Sequence, residues 1–237
     1  MTKKFLAAAV LSTAPLLWPF AASAGVLFTA NGTTICSGPS GMACISASIT
    51  LADGVVVQGG SANSNSPGTP AQADLFSSTV TISNPTGATQ TVTFLGGDID
   101  FTAPTAPPGS LVLTSNIGGS VNTGSAGNAL SYLSCVDQGN GQNNCTGTLN
   151  TAPVTPNVKA SASNYSAGDF LAISTLHAPY SMTEQTTVTL GAGAILNFSA
   201  TSALTAVPVP EPASLTLLGS ALVGLGWFGR RRRRTAV

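Results

Sequence analysis

Short runs in which apolar and polar residues alternate recur along most of the chain, separated by Gly, Pro, Asn and Ser. The clearest pair lies in DLFSSTVTISNPTGATQTVTFLGGD, residues 74–98. Phe76, Val80 and Ile82 share one parity, and Val92 and Phe94 share one face of the second run. Period-two alternation with one apolar face is typical of half-buried antiparallel strands. Because the breaker NPTG separates the two runs, we expect them to form a hairpin with these apolar residues buried.

Threonines fill the opposite face of the same two runs. The register that keeps equal faces together sets Thr79 opposite Thr93 and Thr81 opposite Thr91, and a third triplet lies at Thr187–Thr189. A solvated strand face is the ordinary interpretation, because threonine is a good strand residue. The alternative is a flat threonine ladder that binds an ordered surface such as ice or crystalline glycan.

Similar runs fill the rest of the region between residues 25 and 206: Val26–Thr29, Ile45–Leu51, Leu111–Thr114, Phe170–His177, Tyr180–Leu190 and Ile195–Leu204. Periodicity does not decide between helix and strand for ALSYLSCV at 129–136. Many short strands with turn residues between them predict an all-β body, an antiparallel β-sandwich or jelly roll. About 180 residues suffice for a sizeable core, so we expect residues 25–206 to form the folded body. Residues 1–24 before it and 207–237 after it are expected to be separate parts.

The amino-terminal part has the three regions of a secretory signal peptide. The positive start MTKK precedes the apolar run Phe5–Leu17, and small residues follow. An uncleaved anchor is the alternative, but the run is shorter than the ~20 residues of a membrane span. We expect cleavage after the Ala-Ser-Ala sequence, at a site formed by Ala22, Ala24 and Gly25.

Charge is scarce and unevenly placed. Charged residues make up 7% of the chain, against about 25% in typical proteins. Between residues 25 and 206 there is one base, Lys159, and seven acids, which gives this body a net charge of −6. Such a surface repels phosphate backbones, so nucleic acid is excluded as a partner.

Four cysteines lie in the exported body, where disulfides form. They allow three connectivities. Short loops rich in Gly and Asn favour the two local pairs, Cys36 with Cys44 and Cys135 with Cys145. A zinc site is the alternative, but neither pair has the Cys-x-x-Cys spacing, and His177 is the only histidine.

Motifs for catalysis are missing from the sequence. A nucleophilic triad needs a base, and His177 is the only histidine; there is no Gly-x-Ser-x-Gly elbow, phosphate-binding loop or dinucleotide fingerprint. We therefore expect a non-enzyme without a cofactor. Asp98 and Asp100 are weak candidates for a calcium site, because alternate strand positions would put both carboxylates on one face. A solvated turn is the ordinary interpretation.

The carboxyl end has a different composition. Ala213–Gly229 is an uncharged run of seventeen residues, long enough for a short single transmembrane helix of ~25 Å. Five arginines follow it and stay cytoplasmic under the positive-inside rule, which leaves the body outside the inner membrane. Prolines before the run favour an extended strip around Glu211. The candidate sorting residues are Pro210, Glu211, Pro212, Arg230, Arg231, Arg232, Arg233 and Arg234.

Pro210-Glu211-Pro212, the apolar run and the arginine cluster together resemble the PEP-CTERM sorting signal of Gram-negative bacteria, over residues 207–234. The resemblance implies that exosortase, a membrane protease, cleaves near Pro-Glu-Pro and removes the helix. It also implies export to the cell surface or beyond in polysaccharide-making, biofilm-forming species. The same module has been named after ice-binding proteins, a name that concerns the anchor only.

These observations predict an exported, non-enzymatic surface or matrix protein associated with exopolysaccharide. A glycan- or ice-binding module is the alternative, and a secreted hydrolase is a remote one. A binding module is expected to show exposed aromatic residues in a groove or a flat, aligned threonine face. The body contains no tryptophan, so its stacking candidates are Tyr132, Tyr165 and Tyr180. A hydrolase would instead cluster its carboxylates in a deep pocket.

Overall fold

The computed structural model describes residues 25–79, 81–107, 109–146, 148–208 and 220–222. Its strands, in chain order, are β1 (Gly25–Ala30), β2 (Thr33–Pro39), β3 (Cys44–Ile45), β4 (Ser48–Thr50), β5 (Val56–Gln58), β6 (Ser61–Ser64), β7 (Gln72–Ser78), β8 (Thr81–Ser83), β9 (Gln90–Phe101), β10 (Leu111–Thr123), β11 (Ala129–Asp137), β12 (Leu149–Asn150), β13 (Ser163–Ile173), β14 (Tyr180–Leu190), β15 (Ile195–Leu196) and β16 (Ser199–Ala206). The prediction of an all-β body is confirmed.

The strands form two antiparallel sheets that enclose one core. The six-stranded sheet has the order β12-β11-β14-β9-β1-β2. The ten-stranded sheet has the order β3-β6-β7-β16-β10-β15-β8-β5-β4, with β13 paired to β10. Phe94 of the first sheet lies edge-on to Phe198, which follows β15, with ring centroids 5.2 Å apart. The arrangement is therefore sandwich-like, and this aromatic contact lies in the core between the sheets.

The predicted hairpin is wrong. β7 pairs with β6 and β16 in one sheet, whereas β9 pairs with β1 and β14 in the other. Val92, Phe94 and Ile82 are buried as expected, but Phe76 is half-buried, and Thr79 is only 6% exposed. Val80 lies outside the described residues. In β7 the odd-numbered residues, Leu75 and Ser77, face the core, so the predicted face was wrong there as well as the partner. The apolar pattern of a strand does not by itself specify its partner.

Other runs are placed close to their predicted positions. The undecided segment 129–136 is strand β11. The run predicted at 170–177 is the end of a longer strand, β13, which stops at Ile173. The runs at 45–51 and 195–204 are each divided between two short strands. The pairing partner changes at each break: β3 pairs with β6 but β4 with β5, and β15 pairs with β8 but β16 with β7.

Both local disulfides are present. The Cα atoms are 5.6 Å apart for Cys36 and Cys44, and 5.4 Å apart for Cys135 and Cys145. No cysteine among the described residues is free. The favoured connectivity is confirmed, and the cysteines are not zinc ligands.

Most residues of the two predicted targeting ends lie outside the described residues. Within these ends the structure describes residues 207–208 and 220–222, and Gly25 of the predicted cleavage site is the first residue of β1. Within the described ranges, no helix combines the length and hydropathy that a membrane crossing needs. The signal peptide and the transmembrane helix therefore stay predictions. The candidate residues that the structure leaves undescribed are Ala22, Ala24, Pro210, Glu211, Pro212 and Arg230–Arg234.

Candidate functional site

A patch of hydroxyl groups covers part of the outer face of the six-stranded sheet. Alternation in β9, β14 and β11 turns odd-numbered residues outward and buries their even-numbered neighbours. The pairing of β14 with β9 sets threonine against threonine in two successive rows. Thr91 Oγ1 and Thr189 Oγ1 are 3.0 Å apart, and Thr93 Oγ1 and Thr187 Oγ1 are 3.4 Å apart. Threonine pairs do occur, therefore, but between the second and third triplets.

Residues 154–159 form a wall beside this patch of hydroxyl groups, which we call the floor. Val154 exchanges backbone hydrogen bonds of 2.8 and 3.0 Å with Tyr132 of β11. Val158 is buried, and its carbonyl accepts a hydrogen bond of 3.1 Å from Asn128 Nδ2. Asn128 Oδ1 in turn accepts the Gly191 N–H at 2.9 Å. The wall is fixed at both ends by buried bonds, so it is part of the folded scaffold.

The floor and the wall form two sides of an open groove of about 450 Å³. This volume lies within the usual range of small-ligand sites. Its polar side chains are hydroxyls, amides and one ammonium group: Ser131, Thr155, Asn157, Thr187, Thr189, Asn128 and Lys159. None of the described lining residues is acidic. Lys159 is the only base between residues 25 and 206. The other lining residues are Ala129, Leu130, Pro156 and Val158, so the groove presents hydroxyls and one positive charge beside apolar surface, on a body that is otherwise negative.

The loop closed by Cys135–Cys145 covers the other end of the same outer face. Gln142 Nε2 donates to the carbonyls of Gly25 and Gly97 at 3.1 and 3.0 Å. Asn143, at a φ of 50°, lies against Gly97. The buried Asn143 Oδ1 and Thr183 Oγ1 have no hydrogen-bond partner among the described residues. The loop therefore closes one end of the face and leaves the threonine rows open.

Asp98 and Asp100 do not share a face, contrary to the prediction. Asp98 is fully buried and accepts hydrogen bonds from the hydroxyls of Ser40 and Ser64. Asp100 is exposed at a φ of 61° and accepts a bond of 2.6 Å from Asn140 Nδ2. A register shift between β9 and β14 at this point, together with the left-handed Asp100, turns the second carboxylate away. The two groups have different partners and are not joined in one site.

A buried carboxyl group, which the sequence analysis did not single out, links the two sheets. Glu184 of β14 is 1% exposed and faces inward. Ser77 Oγ donates to its Oε2 at 2.5 Å, while Ser202 Oγ and Tyr132 OH donate to Oε1 at 3.1 and 3.3 Å. Burial raises the pKa of Glu184 to about 8, against the opposing effect of the hydroxyl hydrogen bonds. Its parity with Met182 and other buried residues of β14 was the signal that could have identified it.

The remaining candidates from the sequence lie apart from the groove floor. His177 is exposed between β13 and β14. Tyr132, Tyr165 and Tyr180 are 0%, 8% and 0% exposed, so their rings are not stacking platforms for a sugar. The latter two donate their hydroxyls to the carbonyls of Asn197 and Ala103, at 2.5 and 2.8 Å.

Comparison with known families concerns the carboxyl end. The family model of the PEP-CTERM protein-sorting motif matches residues 208–234. This chain carries a PEP-CTERM sorting motif. The match contains the Pro-Glu-Pro sequence, the apolar run and the arginines in that order. The PEP-CTERM motif confirms the predicted resemblance and implies exosortase as the processing partner of an exported protein.

Two solved structures are distantly similar to the body of this chain. One is TmCBM61 in complex with beta-1,4-galactotriose, at 8% identity and a TM-score of 0.31, covering 61% of this chain and 86% of that one. Another is the enzymatically active domain of tailspike protein 4 of bacteriophage CBA120, at 12% identity and a TM-score of 0.30. That match covers 73% of this chain but only 18% of the tailspike. No curated protein matches the sequence. TM-scores this low assign no function to the body.

Proposed function

We propose that this protein is a non-enzymatic component of the cell surface or extracellular matrix, which exosortase processes at the inner membrane. The observation that carries the proposal is the PEP-CTERM motif at residues 208–234. The apolar run holds the chain in the membrane for a time, the arginines stop its transfer, and cleavage near Glu211 frees the body. Two disulfides suit the oxidising compartments outside the cytoplasm. The body then associates with exopolysaccharide.

The placement of the titratable groups supports a non-enzymatic body. Acid–base and nucleophilic catalysis need two functional groups within hydrogen-bond reach of each other and of a substrate. Among the described residues, Asp98 and Asp100 bond to serines and to Asn140, respectively. Glu184 is closed off inside the core, and His177 is on the surface.

Intact-mass measurement of the mature protein tests the sorting proposal. Protein purified from a host with exosortase is expected to begin at Gly25 and to lack the chain after the Pro-Glu-Pro region. The same host without exosortase is the control, in which the chain retains its end. A mature chain that still ends in Val237 in the exosortase-containing host contradicts the proposal.

A second candidate function is ligand binding at the groove, and its shape favours a glycan over ice. An ice-binding face must be flat across many aligned residues. Here the threonine pairs form two rows, which are bordered by the wall at 154–159 and by the disulfide loop. A concave floor with hydroxyl and amide groups suits a hydroxylated ligand instead. Glycan binding without inhibition of ice recrystallisation by the mature protein is the expected result; ice activity without glycan binding contradicts it.

A further inference from the structure

The groove is a local exception to the charge of the body. Its described lining holds one cation and no acid, although acids outnumber bases seven to one between residues 25 and 206. All seven acids lie outside the lining, and each forms hydrogen bonds with neighbouring polar groups. They are Asp53, Asp74, Asp98, Asp100, Asp137, Asp169 and Glu184. The charged side chain that lines the groove, and that a ligand there would contact, is therefore the cationic Lys159.

Lys159 is held by its backbone while its side chain stays exposed. Its N–H donates to Asn157 Oδ1 at 3.1 Å. Its carbonyl lies so close to Gly124 that a Cβ there would be 2.3 Å away. Within the described part of the chain, Lys159 forms no ion pair with a carboxylate. The backbone of Lys159 is thus held in the wall, and its exposed ammonium group is available to a ligand.

The floor restricts which anion fits. β14 is paired with β11 on one side and with β9 on the other across this part of the sheet, so the strand that carries Thr187 and Thr189 offers no free edge to a peptide. The described polar side chains of the floor, Ser131, Thr187 and Thr189, carry hydroxyl groups. Hydroxyls beside a single ammonium group match a sugar that bears both hydroxyls and one negative charge.

We propose that the groove binds an acidic glycan whose sugars carry carboxylates, with a carboxylate on Lys159 Nζ and sugar hydroxyls on Thr187 and Thr189. This assignment rests on the second candidate function, glycan binding, and adds the class of glycan. The ammonium selects the charged sugar, and the hydroxyl floor selects a sugar over other anions.

Binding of polygalacturonate to the mature protein, measured by calorimetry with EDTA present, tests the assignment. EDTA removes divalent cations that would bridge the polymer to the acids of the body. Dextran supplies hydroxyls without charge, and polyglutamate supplies carboxylates without sugar hydroxyls. Polygalacturonate is expected to bind about tenfold more tightly than either, in line with a charge-assisted hydrogen bond. Equal affinity for dextran, equal affinity for polyglutamate, or no binding of polygalacturonate overturns the proposal.

Variants locate the site. Lys159→Gln is expected to weaken polygalacturonate binding about tenfold, while Lys159→Arg, which keeps the charge, retains it. Thr187→Val with Thr189→Val removes hydroxyls at nearly constant shape and is also expected to weaken binding. The matched control is Thr201→Val with Thr205→Val, two exposed threonines of β16 in the other sheet. Unchanged binding in Lys159→Gln, or equal loss in the β16 control, overturns the proposal.

The sorting proposal stands or fails separately. A correctly processed chain that binds no polygalacturonate refutes the acidic-glycan site alone. An unprocessed chain that binds it through Lys159 refutes the sorting role and supports the site.

Discussion

Gly97 lies where the disulfide loop contacts the outer face of β9. A Cβ at this position would be 2.4 Å from Asn143 Oδ1 and 3.0 Å from the Met182 carbonyl oxygen. Gly97→Ala is therefore expected to lower the free energy of unfolding by about 1–3 kcal/mol, measured by urea denaturation.

Gly87→Ala is the matched control, because a Cβ there meets nothing within 4 Å. Alanine in place of an unstrained glycine restricts the unfolded chain and is expected to be neutral or slightly stabilising. A Gly97→Ala protein as stable as this control would show that the loop does not press on β9.

Glu184 makes stability depend on pH. Its pKa is raised to about 8 in the folded protein from the ordinary 4.5, so the folded state keeps a proton that the unfolded state loses between these values. Stability consequently falls as pH rises through that window, by roughly a few kcal/mol in all. Glu184→Gln is expected to remove the decline, as followed by urea denaturation at intervals from pH 4.5 to 8.

Tyr132 is the other titratable group that contacts Glu184, and burial raises its pKa well above the usual value. It therefore stays neutral across the same window. Tyr132→Phe removes one hydroxyl donor but leaves the carboxyl buried, so the decline with pH is expected to persist. A Glu184→Gln protein that declines as steeply as the wild type would locate the proton uptake elsewhere.

At the scale of elements, the Cys135–Cys145 loop connects β11 to the outer face of its own sheet. Replacing both cysteines with serine is expected to cost about 2–3 kcal/mol of stability in the chain-entropy model for a loop of this length. Thermal denaturation of oxidised and variant proteins measures the loss.

The pair Cys36 and Cys44 is the internal comparison, since its loop has a similar length, with a sequence separation of 8 against 10. Similar losses from both pairs agree with a contribution set by loop length. Peptide mapping without reduction is expected to recover both local pairs from exported protein, and a Cys36–Cys135 peptide would contradict the pairing.

At the scale of the whole molecule, the proposed processing by exosortase depends on the PEP-CTERM motif. Glu211→Ala, or removal of Arg230–Arg234, is expected to leave an unprocessed chain in the membrane fraction. The reason is that proline favours extended geometry in the residue before it, and a cluster of arginines is expected to set the depth of the cleavage strip in the membrane. Fractionation followed by intact-mass measurement gives the result.

Replacement of all five arginines by lysine is the control for charge. Lysine also stays cytoplasmic, so this variant is expected to be processed if positive charge alone fixes the depth. Normal processing of Glu211→Ala and of the truncated chain would contradict a sorting role for the motif.

The sequence by itself determined the features that depend on neighbouring residues. Period-two alternation identified strands such as β9 and β14, and short Gly- and Asn-rich loops indicated the local disulfides. The three parts of the PEP-CTERM motif, found in the expected order along the sequence, identified the sorting signal. Each of these signals is complete within a few tens of residues, so no knowledge of distant contacts was needed.

Tertiary structure alone decided which strands pair. It placed β7 and β9 in different sheets, paired Thr93 with Thr187, and brought Lys159 beside the threonine floor. It also enclosed Glu184 among hydroxyls from both sheets. An alternating strand satisfies its apolar face equally well against many partners, and the choice among them depends on how all the strands fill one core.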